Sequence, residues 1–352
     1  MSLIKYIVRR FIALLPVLFG VLTLTFVLSR FMPGDPVLAF LGDRFTTEQY
    51  NFQLHRLGLD KPIIEQYFIY LGDLFTGQWG VSVSINKGQP VWDLVLDRFT
   101  RTFDIAIMAI IISAIVGIKT GIISATNRNK PKDTLFRGMA LIGVAIPVFW
   151  MGMILRLVFS YYIPLFPGLN YKSPGIGDPP IITHFRVIDS IFSGQIYLII
   201  DYLYHLILPV FCLSFISLAS VVRQTRSSML EVLEQDYVRT ARAKGCKEED
   251  VINIHARKNA MIPVVTVIGM SFGGLLGGAI LTETTIAEII IAIMAISTQL
   301  HLNGVGALVM IAIRNTDYWV LNAVVFVITL TFVMVNLGAD LIYGLIDPRI
   351  RY

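Results

Sequence analysis

Apolar positions gather into six long runs, Phe11 to Ser29, Ile105 to Ile123, Gly138 to Ile163, Leu203 to Val222, Met261 to Leu281 and Tyr318 to Ala339. Each is close to the ~20 residues that cross a bilayer as helix, the form in which a lone segment satisfies its own backbone hydrogen bonds in lipid. The polar positions fall between them in blocks that carry local signals of their own. Thr46 to Leu57 predicts a short helix, Leu59-Asp-Lys-Pro62 a turn, Ile63 to Phe75 a second, amphipathic helix, and Gly77 to Ser84 an extended segment. Prolines and glycines between Pro164 and Pro180 predict an ordered loop after the third run. The pattern is that of an all-α integral membrane protein with six transmembrane helices, residues 1–352 forming a single transmembrane domain.

Composition agrees, with 55% of the 352 residues hydrophobic and 15% charged, against about 25% charged in an ordinary soluble domain. The placement of charge then predicts orientation, because Lys and Arg resist translocation. Lys5, Arg9 and Arg10 mark the amino end, Arg128, Lys130, Lys132 and Arg137 the second connection, and eight Lys and Arg residues from Arg223 to Lys258 the fourth. These are expected in the cytoplasm, as is the tail with Arg349 and Arg351, so both termini are expected there. Residues 31–100, with five basic and eight acidic residues, and 164–201, with Lys172 and Arg186 against three aspartates, are expected as outer loops. The net charge of +5 follows from this asymmetry and does not point to nucleic acid. Arg30-Phe-Met-Pro-Gly-Asp-Pro36 closes the first run without a small-residue cleavage pattern, which predicts a retained anchor. Two cysteines, Cys212 and Cys246, offer no disulfide framework.

The loop 223–258 is the most informative polar block. Val232 to Lys244 predicts a short helix with Leu233, Tyr237, Val238 and Ala241 near one face, and its basic last turn suits the negative end of the helix dipole. Gly245 predicts a left-handed stop, and Glu248, Glu249 and Asp250 predict the start of a second helix. Two short helices joined at a glycine make a rigid ridge suited to docking a soluble partner. A solvated loop whose charges only fix topology is the plainer alternative.

Asp236-Tyr-Val-Arg-Thr-Ala-Arg-Ala-Lys-Gly245 resembles the cytoplasmic signature of ABC importer permeases, a Glu-Ala-Ala start with a glycine four residues after the second alanine. Ala241 and Gly245 match it, while Arg239 and Thr240 replace its Glu and first Ala, the form seen in the dipeptide and oligopeptide subfamily. Pro33-Gly-Asp-Pro36, Leu57-Gly-Leu-Asp-Lys-Pro62, Ala145-Ile-Pro147, His205-Leu-Ile-Leu-Pro209, Arg257-Lys-Asn-Ala-Met-Ile-Pro263 and Asp347-Pro-Arg-Ile-Arg351 resemble the same subfamily, in order along nearly the whole chain. The long first outer loop is similar to that of its first, B-type permease subunit. The resemblance implies a type I ABC importer permease fold in the cytoplasmic (plasma) membrane of a prokaryote. It also implies alternating access and inward movement of peptides, with oligosaccharides or nickel as alternatives within the subfamily. Implied partners are a second homologous permease subunit, two ATP-binding subunits, an extracytoplasmic solute-binding protein and membrane lipid, with no nucleic acid. ATP and Mg belong to the partner subunits and no cofactor to this chain. Asp236, Tyr237, Arg239, Thr240, Ala241, Arg242, Lys244 and Gly245 are the residues expected to couple to the ATPase. One stretch departs from the subfamily: residues 286–303 stand where a short outer turn is expected after Thr284, and Ile289 to Ile296 predicts a re-entrant or interfacial helix.

No phosphate-cradling Gly-x-x-x-x-Gly-Lys-Ser/Thr loop occurs, Gly117-Ile-Lys-Thr120 being a partial echo, and the five histidines form no metal-binding pair at helical spacing. The chain is therefore expected to be a transport subunit and not an enzyme, with no catalytic residue and no metal. Mid-span carboxylates and internal repeats, the marks of an ion-coupled secondary transporter, are not seen in the sequence, which leaves that class as a remote alternative. Gly269, Gly273 and Gly277 recur four apart and predict close helix approach, either within the chain or at a permease interface lining the pathway. Arg156, in the third run, is expected either to pair at the outer surface or to line that pathway and meet a substrate carboxylate.

Overall fold

A computed structural model of the chain describes residues 3–31, 34–41, 44–168, 170–294 and 304–346. Helix α1 (Leu3–Phe31) is followed by α2 (Pro36–Leu41), α3 (Thr47–Arg56), α4 (Ile63–Thr76) and α5 (Val91–Thr126). Next come α6 (Pro131–Ala145), α7 (Val148–Arg156), α8 (Arg186–Phe192) and α9 (Ile196–Leu233). The chain ends with α10 (Asp236–Ala243), α11 (Glu248–Asp250), α12 (Arg257–Met294), α13 (Val305–Arg314) and α14 (Tyr318–Ile346). Local chemistry sets several boundaries. Thr46 caps α3 by accepting from the Gln49 amide at 3.2 Å, while the Gln49 side chain accepts from the Thr46 amide at 2.9 Å, a complete capping box.

Among the described residues, α1, α5, α9, α12 and α14 contain the unbroken apolar stretches long enough to cross a bilayer. The third expected span, Gly138 to Ile163, falls on a bent pair of helices: α6 and α7, the latter running into a π turn at Leu157–Tyr162, meet at 100° and together are apolar and long enough to count as one broken span. Ile146 precedes Pro147 and is extended at φ −89°, ψ 125°, because a proline ring excludes the helical region for the residue before it. The fifth helix also differs. It continues past Thr284 to Met294 without the expected turn, while residues 295–303 of the insertion and the tail with Arg349 and Arg351 lie outside the described residues.

Helices α5 and α9, of 36 and 38 residues, exceed the ~20 that span the bilayer, so each projects beyond it. They pack closely. A Cβ on Gly117 would come within 2.8 Å of the Val221 side chain, and one on Gly121 within 2.5 Å of Thr225, so only glycine permits this approach. Ser113 Oγ donates across the same seam to the Ser214 carbonyl at 2.9 Å. Leu213 of α9 joins Ala106 and Ala109 of α5 and Phe272, Leu275 and Leu276 of α12 in one core. A second core unites α1, α4, α5, α13 and α14 around Leu22, Trp79, Val95, Leu308 and Val324.

The ridge made by α10 closes one end of the bundle. At the opposite end the first connection is not confined to the surface. Tyr67 of α4 shares a 2.7 Å hydrogen bond with Thr23 of α1, Tyr70 donates to the Leu22 carbonyl at 3.3 Å, and the Phe75 ring lies 5.9 Å from that of Phe19. Helix α4 thus runs antiparallel to α1, alongside the inner residues of the first apolar run. Apolar residues are also exposed on α4, Ile64, Phe68 and Phe75 being 69%, 66% and 52% exposed.

Candidate coupling surface and transport cavities

Three elements build the ridge. Helix α9 carries the chain out of the apolar zone to Leu233, Glu234 and Gln235 form a turn, and α10 begins at Asp236, so the helix expected over Val232 to Lys244 is divided. Gly245, at φ 80°, closes α10: its amide donates to the Arg242 carbonyl at 2.9 Å and the Cys246 amide to the Ala241 carbonyl at 3.3 Å. This pair of bonds is the Schellman stop, which needs a residue at ease in the left-handed region. The expected second helix is not separate. α11 passes through a π turn, Val251–Ala256, into α12 without a break, so the ridge and the fifth span are one continuous helical path.

A small apolar core of Val238, Ala241 and Val251, flanked by Val232 and Leu233, holds α10 against this path. Arg242 adds a two-point ion pair to Glu248, Nε to Oε2 at 3.0 Å and Nη2 to Oε1 at 2.7 Å, the fork geometry that suits guanidinium and carboxylate. Asn259 of α12 donates to the Tyr237 hydroxyl at 2.8 Å. Of the eight residues expected to couple, Asp236, Tyr237, Arg239, Thr240 and Lys244 stand exposed on α10 or its C-terminal cap. Ala241 is turned inward, 7% exposed, and Arg242 serves as the clasp.

A second brace was not foreseen. Asp133, 1% exposed at the start of α6, accepts from Arg226 Nε at 2.7 Å and Nη2 at 2.9 Å, from Ser124 Oγ at 2.6 Å and from the Asn129 amide at 3.0 Å. Arg128 also reaches Glu234 at 2.9 Å, at the turn that launches α10. An acid in the first turn of α6 is legible from sequence as a helix-start signal, but nothing in the spacing points it at Arg226, 93 residues away.

The glycine stripe is placed within the chain in part. A Cβ on Gly269 would come within 2.3 Å of Ala339 and one on Gly273 within 2.4 Å of Phe332, both on α14, whereas Gly277 has no such neighbour within 4 Å. Arg156 does not join these residues in any hydrogen bond or ion pair. It is half-buried on α7 beside Gly168, and no described residue pairs with it. Two of the cavities formed by the described residues lie at opposite ends of the bundle. One of about 570 Å³, at the ridge end, is lined by Gln224 of α9, Thr266 and Met270 of α12 and Asn336 of α14, with Arg10 at its rim. The other, of about 540 Å³ at the opposite end, lies between the start of α5 and the third connection and is lined by Asp93, Asp97, Arg98, Arg101, Asp178 and Arg186. Burial would raise the Asp178 carboxyl, but Lys172 at 2.5 Å and Arg186 beside it outweigh that and hold it below the usual carboxylate range. Among the described residues no group of three or more His, Cys, Asp and Glu side chains is placed to hold a metal ion.

Comparison with known proteins decides the family. Residues 117–352 match the binding-protein-dependent transport system inner membrane component, and residues 3–106 match the N-terminal part of such membrane components. The chain belongs to the binding-protein-dependent transport permeases. The permease is 38% identical to the dipeptide transport system permease protein DppB of Escherichia coli K12, over 99% of each chain. It is also 38% identical to the di/tripeptide permease of Pseudomonas aeruginosa, over 99% of each chain, and 32% identical to the oligopeptide permease AppB of Bacillus subtilis, again over 99% of each. Membership makes it a multi-pass membrane transport subunit.

Proposed function

We propose that this permease imports dipeptides and closely related short peptides as the first of two permease subunits in an ATP-driven complex. Its partners are a second homologous permease, two ATP-hydrolysing subunits and an extracytoplasmic solute-binding protein. The termini and the ridge lie in the cytoplasm. The observation that carries the reading is α10, a short helix with a polar outward face, held on a small core and a two-point ion pair at the end of a continuous helix into the membrane. A partner gripping Asp236, Tyr237, Arg239, Thr240 and Lys244 would move α12 through the Arg242–Glu248 clasp and α9 through the turn at Glu234. Packed helices transmit such motion as rigid bodies. The cavity bordered by Gln224, Thr266, Met270 and Asn336 is the inner part of the path, since α9, α12 and α14, which line it, are elements that motion would shift. Peptides are favoured over oligosaccharides and nickel because the relatives bear di-, tri- and oligopeptide names over the full chain.

The test is reconstitution of the full complex in liposomes with labelled dipeptide outside and ATP inside. Uptake should require ATP and the binding protein. Gly245→Val places a branched side chain at φ 80°, a strain of about 1–2 kcal/mol that should weaken capture of the ATPase roughly tenfold. Dipeptide uptake driven by an ion gradient without any ATPase would overturn the proposal.

A further inference from the structure

At the end of the bundle away from the ridge, a cavity of about 80 Å³ lies among the end of α1, one face of α4 and the first turns of α14. That is several times the ~10–15 Å³ one water needs. Two opposite charges face it without meeting. Arg30 lies over the Phe26 ring at 4.9 Å and the Tyr318 ring at 5.8 Å, and its buried Nε has no acceptor among the described residues. Asp73, one face of α4 below, lines the same cavity and has no ion pair or side-chain hydrogen bond among the described residues. Gln66 Oε1 and Asn322 Oδ1 are also buried without donors among the described residues. The Gln66 orientation is fixed, because its Nε2 already donates to the Leu59 and Lys61 carbonyls at 3.2 and 2.7 Å. Trp79 and Trp319 complete the wall.

Charges and amide oxygens withdrawn from water are unfavourable until something pairs with them. A single ligand that pairs with all of them brings an anion with several oxygens for the Arg30 fork and an N–H-bearing cation for the partly buried Asp73 and for Gln66 and Asn322. The setting supplies such a group. Helix α4 exposes Ile64, Phe68 and Phe75 on its other face, an apolar surface suited to acyl chains, and tryptophan and tyrosine favour the level of the headgroups.

We propose that this cavity binds the headgroup of an aminophospholipid of the phosphatidylethanolamine kind, its phosphate at Arg30 and its ammonium at Asp73, Gln66 and Asn322. A choline headgroup has no N–H to donate, and a glycerol headgroup has no cation. Bound lipid would pin α4 to α1 and α14.

The experiment is thermal unfolding of the purified full-length permease in detergent, titrated with phosphatidylethanolamine, phosphatidylglycerol, phosphatidylcholine or free phosphoethanolamine. Phosphatidylethanolamine should raise the melting temperature at a concentration about tenfold lower than the other lipids, the change expected for one charge-assisted contact. The isosteric Asp73→Asn should erase that preference while keeping a response to phospholipid, and Arg30→Met should blunt the response to all of them. Equal responses to the three lipids in the unaltered protein, or a preference that survives Asp73→Asn, would overturn the proposal. So would a full shift with free phosphoethanolamine, which would make the ligand a soluble zwitterion. The readout is unfolding and not uptake, so it stands apart from the transport reading.

Discussion

The ridge and the opposite end of the bundle are both held by carboxylates, but in different surroundings. At the ridge the Arg242–Glu248 pair sits in solvent, its side chains 38% and 58% exposed, where an ion pair contributes little and the apolar core of Val238 and Val251 sets the position. At the other end Asp317, fully buried in the turn between α13 and α14, accepts from Ser82 Oγ at 2.6 Å, the Val83 amide at 3.0 Å and the Ser84 amide and hydroxyl at 3.1 and 3.2 Å. Glu283 does similar work nearby, taking the Gly306 amide at 2.8 Å at the start of α13 and the Thr102 hydroxyl at 2.9 Å. The buried clamps fix loops to helices inside one chain. The exposed clasp leaves a polar face on α10, so the same side-chain chemistry serves rigidity at one end and, on the function proposed above, docking at the other.

That contrast is sharpest in substitution. Asp317→Ala should destabilise by roughly 3–5 kcal/mol, because four donors lose a charged acceptor away from water; a melting temperature close to the parent's would remove the buried-clamp account. Asp133→Asn, at the ridge end but buried, is expected to cost about 2–3 kcal/mol by leaving Arg226 half-paired. It should also lower the peptide moved per ATP hydrolysed, since it loosens the base of α9; unchanged coupling would show that Asp133 is structural only. Arg242→Ala should change unfolding by about 0.5 kcal/mol, as for a solvated pair, yet reduce ATPase capture more than that figure suggests, and capture equal to the parent's would contradict its role as clasp.

Legibility followed the range of the interactions. Capping at Thr46, the left-handed stop at Gly245 and the long apolar runs are local, governed by backbone sterics and by the length of helix that lipid demands, and each was readable from neighbouring residues. The break at Ile146–Pro147 is local too, but a run of 26 apolar residues masked it. The glycine stripe on α12 was visible, whereas the tighter Gly117 and Gly121 approach to α9 was not, because two glycines mean little until the facing Val221 and Thr225 are known.

By itself the sequence determined an all-helical membrane chain, the residues that end its helices, and the polar ridge that carries the family signature. Tertiary structure alone decided that Ala241 faces inward, that Asp133 meets Arg226, that α4 descends along α1, and that Asp317 and Glu283 hold the far end together. The physical reason is that hydrophobic length and backbone conformation are properties of a segment. The partner of a buried charge is a property of the packed bundle, set by whichever helix happens to lie within about 3 Å.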